Sequence, residues 1–222
     1  QMGMQGLAYM HSDLGGFAGD YEDSELYVRW LQYGVFQPIF RPHAQEEVPS
    51  EPVFKDAQTR DRAAQAIQLR YQLLPYNYAM AYQNSLTGAP LMRPLFFDFP
   101  NDSLAQVTKS SFLWGKSFLI TPVVEKSLKE VGIIVPPNSR WFDFYSGELI
   151  DNPTEKSKII ARPTSVNQIP TLVKSGSIIP LHQPMQRTSA YNFAKIEWLL
   201  FLDKSINSGD ATIYFDNGLP MS

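Results

Sequence analysis

Short apolar runs alternate with helical patterns up to about residue 90, and closely spaced apolar runs parted by turn residues follow. The first rhythm predicts parallel α/β structure and the second an all-β sandwich, so the fold class is α/β plus all-β. The chain has 222 residues, with 44% hydrophobic and 13% aromatic side chains. That is enough for one large domain or two small ones.

Gly6 to Met10 is a short buried-strand candidate and runs into His11, Ser12, Asp13 and the pair Gly15-Gly16. An acidic loop, Asp20 to Glu25, follows. Ser24 is the expected cap of a helix over Glu25 to Tyr33, with acids where the dipole favours them. Gly34 is the expected stop. Val35 to Phe40 is the second strand candidate, followed at once by Arg41-Pro42-His43. Glu46 to Asp56 holds two prolines and four acids and reads as loop. A long helix is expected from Asp56 or Thr59 to Ser85, kinked at Pro75 and closed by Gly88. Ile67, Tyr71, Leu74, Tyr78 and Tyr82 lie on one helical stripe. The β candidates are Phe112–Val124, Val131–Val135, Trp141–Tyr145, Lys158–Ala161 and Thr171–Leu181. Ala194–Leu202 and Ala211–Phe215 follow, then the hairpin-type turn Asp216-Asn217-Gly218. The last unit looks incomplete.

Charged residues are 18%, and 19 basic against 22 acidic side chains give a net charge of −3. No basic excess points to nucleic acid or to an anionic membrane. There is no cysteine, which excludes disulfides and thiolate metal sites. With three histidines, His11, His43 and His182, an imidazole-built zinc site is not expected. No apolar run reaches the ~18 residues of a membrane span. Gln1 to Met10 lacks the basic and apolar regions of a signal peptide, and the first residue is not Met. The chain therefore reads as processed or excised, and its localisation stays open.

Asp13 sits in a strand-end loop beside two glycines, where a carboxylate can accept two hydroxyl hydrogen bonds. A turn aspartate capping its own loop is the alternative. His43 suits a sugar hydroxyl or a proton shuttle, or equally a loop histidine bonded to backbone. Arg41 could hold Asp13 by a bidentate pair, or form a surface ion pair of little value. Trp30, Tyr33, Phe36 and Phe40 read as core aromatics or a stacking set. Asp13 to Gly19 is neither a P-loop nor a dinucleotide fingerprint, the acids after it lack calcium spacing, and no nucleophile elbow occurs.

Several runs together are similar to glycoside hydrolase family 31, the α-glucosidase and α-xylosidase family. Ser12-Asp13-Leu14-Gly15-Gly16-Phe17 resembles its D-(I/L)-G-G-F motif. Glu25 to Phe36 resembles E-L-x-x-R-W-x-Q-x-G-x-F. Phe40-Arg41-Pro42-His43 resembles F-x-R-x-H, and Glu51-Pro52 the start of E-P-W. Leu69 to Tyr76 resembles L-R-Y-x-L-L-P-Y, and Gly176 to Pro180 resembles G-G-S-I-I-P.

The resemblance implies the last quarter of a (β/α)8 barrel over residues 1–88, with strands seven and eight and their helices. It implies a proximal β-sandwich over 89–185 and the start of a distal β domain over 186–222. The family's nucleophile and acid/base aspartates belong to W-x-D-M-N and W-x-G-D motifs. Neither motif occurs here, so no catalytic residue is carried over. The resemblance assigns Asp13, Phe17, Arg41 and His43 to substrate binding in the −1 subsite. His43 would bond ring hydroxyls, Asp13 order the pocket floor, Phe17 supply an apolar wall and Arg41 organise carboxylates. Val53 stands where the family often has Trp, and His11 where the residue is often small.

The expected parent is a retaining α-glycosidase, foremost an α-glucosidase, acting on an oligosaccharide or α-glycoside without metal or cofactor. The chain alone is expected to be inactive. A non-catalytic carbohydrate-binding or structural β module is the alternative. No nucleic-acid or membrane partner is expected, and two unpaired barrel strands would invite a homodimer.

Overall fold

The computed structural model describes residues 2–19, 21–206 and 208–216. Helix α1 spans Ser24–Gly34. Its cap is Asp23, one residue before the expected Ser24, and Asp23 Oδ1 accepts the Leu26 N–H at 3.0 Å. The Ser24 hydroxyl instead donates to Asp56 Oδ2 at 3.3 Å. Gly34 does end α1, but through packing: a Cβ there would lie 2.5 Å from Leu14 Cδ1.

The single kinked helix expected after Asp56 is two helices. α2 spans Ala57–Gln72 and α3 spans Leu74–Thr87, with Leu73 as the joint. Pro75 lies in the first turn of α3, where its missing N–H costs nothing. Asp56 caps α2, and Gly88 closes α3 in the left-handed conformation. The break shifts the helical phase. Ala63, Ala66, Leu73, Tyr76 and Ala79 face the core, and none of the predicted stripe Ile67, Tyr71, Leu74, Tyr78 and Tyr82 is fully buried.

Gly6–Met10 and Val35–Phe40 form no strand, contrary to expectation. Their backbone groups are bonded elsewhere. Gly6 N–H donates to Gly3 O and Leu7 N–H to Met2 O, which makes a turn. Phe36 and Gln37 N–H donate back to Tyr33 and Gly34 carbonyls. The Arg70 guanidinium takes the carbonyls of Val35, Gln37 and Pro38. Little is left for a parallel ladder. Among the described residues up to 88 one parallel bridge remains, Leu14 with Pro42. The strand edges on which a homodimer was expected are therefore not formed.

The antiparallel part starts with β1 at Met92–Pro94, then the short helices α4, Leu95–Asp98, and α5, Ser103–Val107. β2 is Phe112–Trp114 and β3 is Phe118–Ile120, so the long apolar run is a hairpin turning at Gly115. β4 is Glu130–Val135, β5 Ser139–Asp143, β6 Leu149–Asn152 and β7 Lys158–Pro163. β8 is Thr171–Lys174, β9 Ser177–His182 and β10 Ile196–Phe201. A six-stranded sheet runs in the order β1-β2-β3-β8-β5-β6. β4 pairs with β7, and β10 with β9 over six residues. Residues 211–216 form no strand, and the turn expected at Asn217-Gly218 lies outside the described residues.

Strand alternation divides the core. Leu113, Leu119, Leu172 and Trp141 leave one face of the sheet and meet Ile133, Val135 and Ile160 of the β4–β7 pair. Trp114, Phe118, Ile120 and Val173 leave the other face and meet Tyr27, Leu31, Phe36 and Tyr76 of the helical part. Phe118 joins the two regions, with ring centroids 5.7 Å from Phe36 and 5.1 Å from Tyr76.

Candidate sugar-binding site

Leu14 and Pro42 bring the two motif loops together, and His43 N–H donates to Leu14 O at 3.3 Å. Leu14 is fully buried, so alternation along this short segment sends Asp13 away from the core. The Phe17 and His43 rings lie 5.6 Å apart, and Gln45 N–H closes the loop onto Phe17 O at 3.1 Å. Phe17 is 42% exposed, which leaves apolar ring surface open beside the imidazole.

The turn between them needs glycine. Gly15 and Gly16 have φ of 93° and 100°. A Cβ on Gly15 would lie 2.7 Å from the Tyr27 ring. Tyr27 is itself fixed, its hydroxyl donating to Ser50 O at 2.8 Å. Burial, with Glu51 nearby, pushes its phenol above the ordinary range and keeps it a donor.

Of the predicted residues, the structure joins Phe17 with His43, while Asp13 and Arg41 each precede a residue of the Leu14–Pro42 bridge. The Asp13–Arg41 ion pair is not formed, and among the described residues Arg41 is exposed and has no acidic partner. Val53, at the tryptophan position, is 67% exposed.

Two supports escaped the sequence reading. Behind Asp13, the Trp30 indole N–H donates to Ser12 Oγ at 3.0 Å, and buried Gln37 bonds both the Ser12 hydroxyl and its N–H. Below the second loop, Arg70 donates to three carbonyls at 2.6–2.8 Å. Burial without a carboxylate lowers its pKa to about 10. The quoted L-R-Y run contains Arg70, but its partners are backbone oxygens that no motif reveals.

The Glu-x-x-x-Arg-x-x-Gln face of α1 does not line this site. Glu25 accepts the Ser127 N–H, Arg29 donates to Ser165 O, and Gln32 Nε2 donates to Val166 O at 2.8 Å. These three side chains tie the helical region to loops of the β region. Among the described residues no three His, Asp or Glu side chains could hold a metal ion. No helix there is long and apolar enough to cross a membrane.

Residues 1–80 match the model of the glycosyl hydrolases family 31 TIM-barrel domain, and residues 88–179 that of the family 31 C-terminal domain. A probable glucan 1,3-alpha-glucosidase of Oryza sativa subsp. japonica is 31% identical over 218 residues, covering 98% of this chain and 23% of its own. An alpha-xylosidase of Saccharolobus solfataricus is 33% identical over 182 residues, covering 80% of this chain and 24% of its own. A GH31 dextranase of Flavobacterium johnsoniae, complexed with glucose, superposes with a TM-score of 0.81 at 32% identity. That match covers 90% of this chain and 25% of the dextranase. The chain thus spans about a quarter of the length of the relatives it matches. It belongs to glycosyl hydrolase family 31, with a portion of the TIM barrel joined to the C-terminal domain.

Proposed function

We propose that this chain supplies part of the −1 subsite of a retaining α-glycosidase, foremost an α-glucosidase, acting on terminal α-linked sugars. The observation that carries this reading is the Leu14–Pro42 bridge, which sets the Phe17–His43 ring pair and Asp13 on one loop junction. His43 bonds hydroxyls of the glycosyl ring, Phe17 covers its C–H face, Asp13 helps order the pocket floor and Arg41 organises neighbouring carboxylates of the enzyme. In such an enzyme two carboxyl groups about 5–5.5 Å apart act as nucleophile and acid/base through a glycosyl-enzyme intermediate. None of the four residues takes either role, and the 222-residue chain alone does not hydrolyse glycosides. On this reading residues 1–88 are the C-terminal part of the catalytic barrel domain, 89–185 a proximal domain and 186–222 the start of a distal one.

The test is His43→Ala in the full-length enzyme. Loss of a hydroxyl contact that tightens in the transition state lowers kcat/KM at least about tenfold, roughly 1.4 kcal/mol. An unchanged kcat/KM removes His43 from the subsite.

One observation favours a second reading. The six-stranded sheet is packed on both faces within this chain. One of those faces is covered by the β4–β7 pair, so the sheet has a core of its own, as a non-catalytic carbohydrate-binding or structural module needs. A carbohydrate-binding module predicts sugar affinity that survives mutation of Asp13 and His43, and a purely structural one predicts no sugar affinity in the β part.

A further inference from the structure

A cleft of about 480 Å3 lies where α1 and α2 meet the β region, away from Asp13 and His43. Its polar lining is mostly carboxamide: Gln32, Gln65, Gln68 and Gln72 from the helices, Asn167 and Gln168 from the loop before β8. Arg62 adds one cation, already bonded through Nε to Asn167 Oδ1 at 3.1 Å. Among the described residues no carboxylate lines the cleft. Phe144, Tyr145, Leu69 and Leu181 form its apolar wall, and Tyr145 is 39% exposed.

That lining selects by elimination. A cation finds no carboxylate. A multivalent anion finds one partly engaged guanidinium. A wholly apolar ligand would strip water from the exposed amides of Gln65, Gln68 and Gln168 without replacing their hydrogen bonds. A hydroxyl donates and accepts at once, as a carboxamide does. An aromatic beside such groups suits the C–H face of a pyranose. The volume falls in the range of small-ligand sites, about 300–1,000 Å3.

We propose that this cleft is a second carbohydrate site, binding one neutral hexose unit of a glucan with affinity in the millimolar range. The choice of a glucan rests on the α-glycosidase reading, but the site does not depend on His43.

The test is titration of the full-length protein with maltose, followed by side-chain amide NMR. The expected result is saturable shifts of the Gln65, Gln68 and Asn167 amides. The double variant Gln68→Ala, Asn167→Ala changes only exposed side chains, and it should weaken binding at these resonances at least tenfold. His43→Ala should leave it unchanged, while abolishing any maltose effect at Phe17. Failure of the −1 subsite reading therefore shows at Phe17 alone. Absence of shifts at the cleft amides, unchanged affinity in the double variant, or displacement of maltose by inorganic phosphate would each overturn the proposal.

Discussion

Residues 2–88 and residues 89–182 are held together in opposite ways. The helical region carries most of the recognisable motifs and, among its described residues, no β-strand, and its loops are fixed by side chains that seize backbone atoms: Arg70 on three carbonyls, Gln37 on Ser12, Tyr27 on Ser50. The β region carries one of the quoted motifs, yet its backbone pairs with itself through a six-stranded sheet. Motif density thus marks where side chains must do what a ladder does elsewhere. It does not by itself mark where substrate sits, as the α1 face bonded to Ser127, Ser165 and Val166 shows.

The strongest way to break this contrast is to cut the core on each side of the sheet. Phe118→Ala and Trp141→Ala should each cost about 3–5 kcal/mol, because both side chains are almost fully buried. Their reach should differ. Phe118 touches Phe36 and Tyr76, so its loss should speed hydrogen exchange in α1 and α3 as well as in the sheet. Trp141 packs within the cluster under β4 and β7, so its loss should speed exchange in the β region first. Equal acceleration in both variants would show that the two regions unfold as one unit.

Next is the clamp beneath the second motif loop. Arg70→Lys keeps the charge but cannot span the carbonyls of Val35, Gln37 and Pro38. It should cost about 2–3 kcal/mol, since charged hydrogen bonds are lost and buried carbonyls stay unpaired. Thermal melts read the cost. Loosening of the Phe17–His43 ring contact, followed by ring NMR, should accompany it. A melt shifted without any change at those rings would confine Arg70 to bulk stability.

The same contrast explains what could be read from sequence. α1 was legible because acids and Gly34 bracket it, although packing against Leu14, not a left-handed turn, is what demands the glycine. Most strands of the β region were legible from alternation and turns. β1 was not, because Pro94 is tolerated only at a sheet edge. β6 was not, because Leu149–Asn152 has two apolar residues. Val35–Phe40 misled because its apolar pattern suits a strand while Arg70, distant in sequence, claims its carbonyls. The Phe17–His43 pairing followed from the family resemblance, whereas the missing Arg41–Asp13 contact depends on side-chain placement that spacing does not fix.

A smaller effect is expected where α1 holds the β region. Arg29→Ala removes a side chain 8% exposed that bonds Ser165 O and Glu25. A charged bond to a carbonyl predicts a loss of about 1.5–2 kcal/mol. Faster amide exchange at residues 165–167, with the sheet unaffected, would show that this helix face works as a tether between regions.

The smallest effect separates the regions by acid and salt. Asp23 is held below the usual carboxylate range chiefly by Lys126, 2.5 Å away, and by the Leu26 N–H. Asp102 is raised by burial, but N–H donors of Ser157 and Ala105 outweigh this and leave it lowered too. A carboxylate whose folded pKa lies below its unfolded value, about 3.9, stabilises above that pH. The contribution is then lost as pH falls through the folded value. Both groups should therefore cost stability only below about pH 4, by about 1 kcal/mol or less each. Salt should part them. Lys126 is 69% exposed, so at about 1 M salt, where the Debye length is about 3 Å, the Asp23 contribution should shrink. Asp102 bonds uncharged N–H groups and is 8% exposed, so its contribution should persist. Asp102→Asn keeps the cap on α5 but removes the charge, and it should flatten the acid limb at high salt. Asp23→Asn should flatten it at low salt only. If high salt erased the Asp102 contribution as well, the tie to Ser157 would be electrostatic at long range, and the β region would not be as self-satisfied as its sheet suggests.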